Sequence, residues 1–379
     1  MTAPERTLKI LHVFRSPVGG LFRHVLDLVD GQSARGHQVG LITDSTTGGA
    51  QAEAKLAGMA DRCALGITRI PMSRHIGPGD VQAVLHTSRR IAQTRPDVVH
   101  GHGAKGAAYA RLAAKRHAIT AYTPHGGSLH YRPQAPVGFL YIALEKMLRA
   151  RTDLFLFESD FAERSFRQLI GEPQAMVRVV RNGVGEPEFA EVPLNADATD
   201  LLYIGELRDI KGVDILLDAL ATLHQTGTPL TATIVGDGPA RQTFHDQADR
   251  LGLNGAVRFM APMPARQAFA LGRLVVVPSR KESLPYIVLE IAAAGKPMIA
   301  TRVGGVPEIF GPQSDRLIAP GDSAALADTL RHSVNHPEIM ATDAGLLRER
   351  IRTTFSLTNM VESGISAYRS AIAANKKLN

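Results

Sequence analysis

Glu282 and Glu290 stand with seven residues between them in the stretch Leu274 to Thr301, LVVVPSRKESLPYIVLEIAAAGKPMIAT. A carboxylate accepts paired hydrogen bonds from vicinal hydroxyls, such as those of a ribose or a hexose. Between the two glutamates, Ser283 and Leu284 lead to Pro285, which the sequence places at the first position of a helix. Free N–H groups and the dipole at a helix start favour an anion such as a diphosphate. A second stretch, Leu201 to Leu217 (LLYIGELRDIKGVDILL), puts Arg208 and Lys211 on a strand-exit loop. Arg as a fork and Lys as a point charge suit a diphosphate, and in a site without metal the charge stabilisation must come from the protein. Plainer readings stand beside these: a helix-start charge at Glu282, a solvated helix position at Glu290, two solvated loop cations.

The remaining candidates are weaker signals. Gly19 and Gly20, in the turn Arg15-Ser16-Pro17-Val18-Gly19-Gly20, let a ligand approach the backbone, but a tight turn explains them as well. The spacing is not that of a dinucleotide-binding GxGxxG, and no GxxxxGK[ST] occurs. His100 and His102 flank Gly101, and His125 sits in Tyr122-Thr123-Pro124-His125-Gly126-Gly127. An HxH with no second cysteine is poor support for zinc, and the chain contains no D-x-D to hold a metal on a nucleotide. No metal and no cofactor are expected. His125 reads as a polar group lining a cleft, with a hydrogen-bonded structural histidine as the alternative, and more so for His100.

These residues need a scaffold of strand ends. Apolar runs at Leu8–Phe14, Gln38–Thr43, Asp97–His100, Ile119–Thr123 and Asp153–Glu158 alternate with helical patterns at Leu21–Arg35 and Ala104–His117. The alternation restarts at Leu201–Ile204 and continues through Thr231–Val235, Ala256–Met260, Leu274–Val277 and Pro297–Thr301, with a helix at Val213–Gln225. This is an α/β chain of two doubly wound parallel-sheet domains, and 379 residues is the length of two cores. The polar, proline-containing Glu186–Asp200 reads as the linker between domains 1–188 and 189–354, with a last helix at 355–374 packing back on the first domain.

Composition narrows the class. One cysteine, Cys63, fits a reducing compartment, and the polar start and lack of a long apolar run predict no signal peptide or membrane span. Residues 1–190 carry 24 Lys+Arg against 16 Asp+Glu, and residues 191–379 carry 19 against 20, so the excess of positive charge lies in the first half. An anionic lipid leaflet or phosphorylated lipid carrier fits that field, as does an alkaline surface with no partner. The absence of Trp and of basic tracts interleaved with aromatics argues against nucleic acid. Pro136–Leu148 (PVGFLYIALEKML) is apolar enough to touch a membrane, though a buried core helix is the first reading.

Taken together, the motifs resemble the retaining glycosyltransferases of the GT-B fold, glycosyltransferase family 4 (group 1), over nearly the whole chain. Glu282 to Glu290 looks like the family's E-x7-E; GELRDIKG at 205–212 resembles its G-R-L-x-x-x-K-G loop; Gly236-Asp237-Gly238-Pro239 resembles its G-x-G-P turn. Gly19-Gly20, Asp97-Val98-Val99-His100 with His102, Thr123-Pro124-His125-Gly126 and Arg181-Asn182-Gly183-Val184 match its N-terminal landmarks. One departure is Glu206 where the family most often has Arg, the arginine coming two places later at Arg208, while Lys211 keeps its offset from Gly205.

The resemblance implies a fold of two Rossmann-like domains facing a central cleft and a cytoplasmic, metal-independent hexosyltransferase, peripheral on the inner face of the cell membrane if a lipid-linked acceptor is used. It implies that Glu290 binds the ribose and that Glu282 binds the donor sugar. Arg208 and Lys211 hold the diphosphate with backbone N–H groups of Gly20, Ser283 and Leu284. Gly19, His102, Gly236 and Gly238 border the substrate, His125 lies near the transferred sugar, and Met260 borders the base. It implies transfer from a nucleotide diphosphate sugar to a saccharide or lipid-linked acceptor in surface polysaccharide or glycolipid synthesis. Retention without an assignable carboxylate nucleophile implies front-face transfer in which the leaving phosphate takes the acceptor proton. Two other readings remain: a nucleotide-sugar 2-epimerase of the same fold, and a non-catalytic nucleotide-sugar-binding protein.

Overall fold

The computed structural model describes residues 6–114, 117–127 and 134–375. The chain divides into two compact units, Met1–Asn182 with Leu357–Asn379, and Gly183–Ser356. The first division falls at Asn182/Gly183 and not at 188/189. The reason is packing: residues Glu186–Phe189 form a short 3-10 turn, and Phe189 is buried in the second unit's core beside Val184, Phe269 and Phe355. The expected linker is thus partly core.

The first unit runs β1 (Lys9–Phe14), α1 (Gly19–Ser33), β2 (Gln38–Asp44), α2 (Gly49–Ala57), β3 (Ile67–Ile70), α3 (Gly79–Thr94), β4 (Val98–His102) and α4 (Gly103–Ala113). It continues with β5 (Ile119–Thr123), α5 (Pro136–Leu148), β6 (Leu154–Phe157), α6 (Asp160–Leu169) and β7 (Met176–Val179). All pairings are parallel, in the order β3-β2-β1-β4-β5-β6-β7. Central strands buried on both faces read as unbroken apolar runs; Ile10, Leu11, Val13 and Phe14 are fully buried. The order reverses between β1 and β4, which marks the place beyond the strand ends where open α/β sheets bind ligands.

The second unit runs β8 (Thr199–Ile204), α7 (Val213–Gln225), β9 (Ala232–Val235), α8 (Arg241–Arg250), β10 (Val257–Met260), α9 (Ala265–Ala268) and β11 (Gly272–Val277). It ends with α10 (Tyr286–Ala293), β12 (Met298–Ala300), α11 (Val306–Phe310), α12 (Ser323–Asn335) and α13 (Pro337–Thr354). Its parallel sheet has the order β10-β9-β8-β11-β12, so the reversal lies between β8 and β11. The last helix, α14 (Leu357–Ala374), belongs to the first unit. Met360, Val361, Ile365 and Tyr368 of α14 join Ile10, Val98, Ile119 and Leu154 in one buried cluster. The face of the sheet holding Ile10 and Val98 is therefore closed by the end of the chain.

Two local expectations change. Pro285 is the N-cap of α10, in extended conformation, and the helix starts at Tyr286; the fixed φ of proline serves the cap as well as the first turn. The helix α5 is not wholly core: Tyr141, Ile142 and Leu148 are buried, whereas Val137, Phe139, Leu140 and Met147 are exposed.

Candidate active site

In the second unit, the loops after β8 and β11, the strands bracketing the reversal, meet through their side chains. Lys211 Nζ donates to Glu282 Oε1 at 2.6 Å, and Ser279 Oγ donates to the same oxygen at 2.7 Å. Glu282 is nearly buried, Lys211 about a quarter exposed. Both bonds fall on Oε1, so Oε2 carries neither. Arg280 clamps the two loops from behind, with Nη1 and Nη2 on the Asp214 carboxylate at 2.7 and 2.5 Å and Nη1 on the Asp209 carbonyl at 2.6 Å. Gly212 is left-handed (φ 70°), and a Cβ there would strike the Pro278 carbonyl. Only glycine lets these two loops touch.

Arg208 stands outside this group, exposed and 3.4 Å from Glu206 Oε2. Ser283 and Leu284 precede the cap of α10; the Ser283 carbonyl accepts from Gly305 N–H at 2.6 Å. Glu290 lies half-buried in α10. Gly236 and Gly238 are accounted for by backbone packing: a Cβ on either would collide with the backbone of Gly205 or Leu207. They bring the β9 exit against the β8 exit, and Gly236 N–H donates to the Met260 carbonyl at 3.1 Å. In the structure both glycines shape the loops at the strand exits.

The first unit holds a feature that the sequence did not disclose. His12 and His100 are register partners across β1 and β4, so their side chains share a face, and His102, two residues on, joins them. His24 of α1 and His125 of the β5 exit complete a group of five imidazoles in tilted, edge-on or stacked contact, with ring centroids 3.8 to 5.7 Å apart. His100 bonds Tyr368 Oη at 2.7 Å and Thr123 Oγ1 at 2.9 Å. His102 bonds His12 and His125 through its two nitrogens and is buried. Both its ring nitrogens are thus engaged by other histidines.

Burial pushes every one of these rings toward the neutral form, His12 to about 4 and His24 to about 3. His100, His102 and His125 lie well below the ordinary imidazole value for the same reason, with neighbouring histidines adding to it. The trios His12–His100–His102 and His24–His102–His125 bring ring nitrogens within 4.8 Å of one another, a donor set suited to a borderline divalent metal. At 2.9 Å, however, His12 Nδ1 and His102 Nε2 are hydrogen-bonded, closer than the roughly 3.3–3.4 Å of two nitrogens on one tetrahedral zinc.

His125 sits in the left-handed region (φ 51°), a strained setting for a non-glycine residue. Gly126 N–H donates to the buried Glu158 Oε1 at 3.2 Å, which ties down the loop. Gly19 and Gly20 open α1, and Gly19 has φ 66° with no atom near the place of a Cβ. His12, His24, Gln32 and Glu158 are the site-region residues that sequence reasoning missed; the one signal was His12 inside the apolar run 10–14.

Residues 198–336 match the glycosyl transferases group 1 family, and residues 18–185 match Glycosyltransferase Family 4. The chain is 30% identical over 295 residues to the putative glycosyltransferase EpsD of Bacillus subtilis, covering 71% of this chain and 76% of that one. It is 27% identical over 380 residues to a glycogen synthase of Mycobacterium tuberculosis, covering 93% and 92%. The structure of Anabaena HepE, solved in complex with UDP-glucose, superposes with a TM-score of 0.75 at 20% identity, over 96% of this chain and 100% of that one. Among the described residues no helix is long and apolar enough to cross a membrane. With two Rossmann-like units of GT-B type and both halves matched, the chain belongs to the group 1 glycosyltransferases of family 4.

Proposed function

We propose that this glycosyltransferase moves a hexose-type sugar from a nucleotide diphosphate sugar to a saccharide or lipid-linked acceptor, with retention at the anomeric carbon and without a metal. The observation that carries the donor half is the Lys211–Glu282–Ser279 group at the strand-order reversal of the second unit. In this reading the diphosphate takes Lys211 and the N–H groups at the start of α10, and Lys211 offsets the charge that builds on the leaving phosphate. Glu282 then turns its acceptor oxygens to sugar hydroxyls, and Glu290 holds the ribose. Arg208, exposed beside Glu206, is a secondary cation. In the first unit, Gly20 N–H and His125 meet polar groups of the substrate. With no carboxylate assigned as nucleophile, the leaving phosphate oxygen takes the acceptor's proton as the acceptor oxygen bonds to the anomeric carbon, and the sugar–phosphate bond breaks on the same face.

The test is a thermal-shift screen of nucleotide diphosphate sugars on the full chain. A true donor stabilises by mass action, about 2.7 kcal/mol at a hundred times its Kd, and Lys211→Ala removes the shift. No stabilising donor, or an equal shift in Lys211→Ala, overturns the reading. NMR of the product reads the anomeric outcome, and turnover unchanged by EDTA supports the metal-free reading. Consumption of donor that ignores every acceptor and yields the 2-epimer favours the epimerase reading instead.

A further inference from the structure

Gln32, His12, His102 and His125 form one unbroken row of hydrogen bonds. Gln32 Oε1 meets His12 Nε2 at 2.9 Å, His12 Nδ1 meets His102 Nε2 at 2.9 Å, and His102 Nδ1 meets His125 Nε2 at 3.0 Å. A neutral imidazole carries one N–H, so each ring donates on one side and accepts on the other. An imidazolium would donate on both sides and break the row, and burial keeps the rings neutral. The row therefore has a direction, and its fixed end sets it.

That end is Gln32, fully buried on α1. An amide oxygen only accepts, so His12 carries its proton on Nε2 and leaves Nδ1 to accept. His102 must then donate from Nε2 and accept at Nδ1, and His125 must donate from Nε2. The amide nitrogen of Gln32 is buried and closes no full hydrogen bond. Tyr368 Oη in turn lies 2.7 Å from His100 Nδ1. His125 is the one half-buried ring of the row, and its Nδ1 makes no hydrogen bond among the described residues.

We propose that Gln32, acting through His12 and His102 as positioning residues, fixes the tautomer of His125 so that Nδ1 faces a substrate as a hydrogen-bond acceptor only. The ligand group this selects is a sugar hydroxyl that donates; a deoxy or O-methyl sugar at that position has no proton to give. The proposal rests on the reading that His125 meets the sugar, but its first test needs no substrate.

Full-length protein with 15N-labelled histidine, freed of metal by EDTA, is examined by long-range 1H–15N correlation NMR near pH 7.5. His→Asn substitutions assign the signals. His12, His102 and His125 should each show the Nε2–H form. In Gln32→Met, which offers His12 no comparable acceptor, His125 should become a mixture of tautomers. With an active donor, kcat/KM should fall roughly tenfold, the scale of one hydrogen bond, while the 4-, 6- and other deoxy sugars should include one for which wild type and Gln32→Met no longer differ. An Nδ1–H or imidazolium His125 in the wild type, an unmoved tautomer in Gln32→Met, or stoichiometric zinc restoring a distinct native spectrum overturns the proposal. If Gln32→Met does not fold, the wild-type spectrum alone decides. A correct tautomer in a protein that turns over no nucleotide sugar sinks the functional reading and leaves the row intact.

Discussion

Lys211 Nζ and Glu282 Oε1, 71 residues apart in sequence, lie 2.6 Å apart across the loops that follow β8 and β11. The pair neutralises itself at rest; under the proposed function an incoming diphosphate would draw the ammonium toward itself and free the carboxylate for hydroxyls. On that proposal, removing either partner would remove both roles. Lys211→Ala and Glu282→Ala should each lower kcat by about 10²–10³, and the double variant should be no worse than about the worse single, since contacting residues couple. Steady-state kinetics on the folded variants checks this, and additive losses contradict it.

The histidine group makes stability fall on mild acidification. His12 titrates at about 4 and His24 at about 3 in the folded chain, against 6.5 for a free imidazole. Between those values the unfolded chain binds more protons, so the stability these rings contribute is complete above about pH 6.5 and is lost as pH falls toward 4. Each histidine that protonates only on unfolding costs about 1.4 kcal/mol per pH unit. Burial alone would raise Asp44 and Asp80, but hydrogen bonds, joined at Asp80 by the Lys105 charge, outweigh it and hold both below the ordinary carboxylate value, so they act only at lower pH. Thermal denaturation should show a steady decline in Tm from pH 7 to 5; a flat Tm in that range contradicts the neutral, buried assignment.

Arg111 and Glu145 form a buried ion pair at 2.8 Å, with side-chain exposures of 0% and 3%. Tyr122 donates to the other carboxylate oxygen at 2.9 Å, and the guanidinium lies 4.2 Å from its ring centroid. Glu145→Ala should cost about 3–5 kcal/mol, because it strands a charge inside the first unit. Arg111→Met with Glu145→Leu and Tyr122→Phe should regain most of that loss. Urea unfolding of both variants decides, and equal losses would contradict the argument.

Helix α5 presents Val137, Phe139, Leu140 and Met147 at exposures of 55%, 69%, 50% and 61%, with exposed Lys146 and Arg151 close by in sequence. Apolar side chains beside basic ones suit an anionic leaflet. The protein should float with anionic vesicles at low salt and be released at high salt, and Phe139→Glu with Leu140→Glu should prevent flotation. No flotation of the wild type at low salt overturns the expected contact with an anionic leaflet.

The central strands were legible because strands buried on both faces leave unbroken apolar runs, as at Leu8–Phe14. The edge strands β3 and β7 went unread: Ile67, Thr68 and Arg69, like Met176 and Val177, are only partly buried, so neither a clean run nor an alternation marks them. Lys211 and Glu282 were each visible from their loops, but their contact depends on the order in which β8 and β11 pair. The histidine row was hidden for the same reason, since His12 and His102 become neighbours only when β1 pairs with β4. Glu158, at the end of an apolar run, gave no sign that it would anchor the backbone of Gly126.

Because α14 completes the face begun by Ile10 and Val98 while the second unit is finished by Ser356, the order of synthesis and the order of folding differ. A growing chain can close the later-starting unit first. The earlier one must wait, with apolar surface uncovered and Tyr368 not yet beside His100, until the last helix leaves the ribosome. A stop codon at residue 357 would thus damage the oldest part of the nascent chain, and the newest would remain sound.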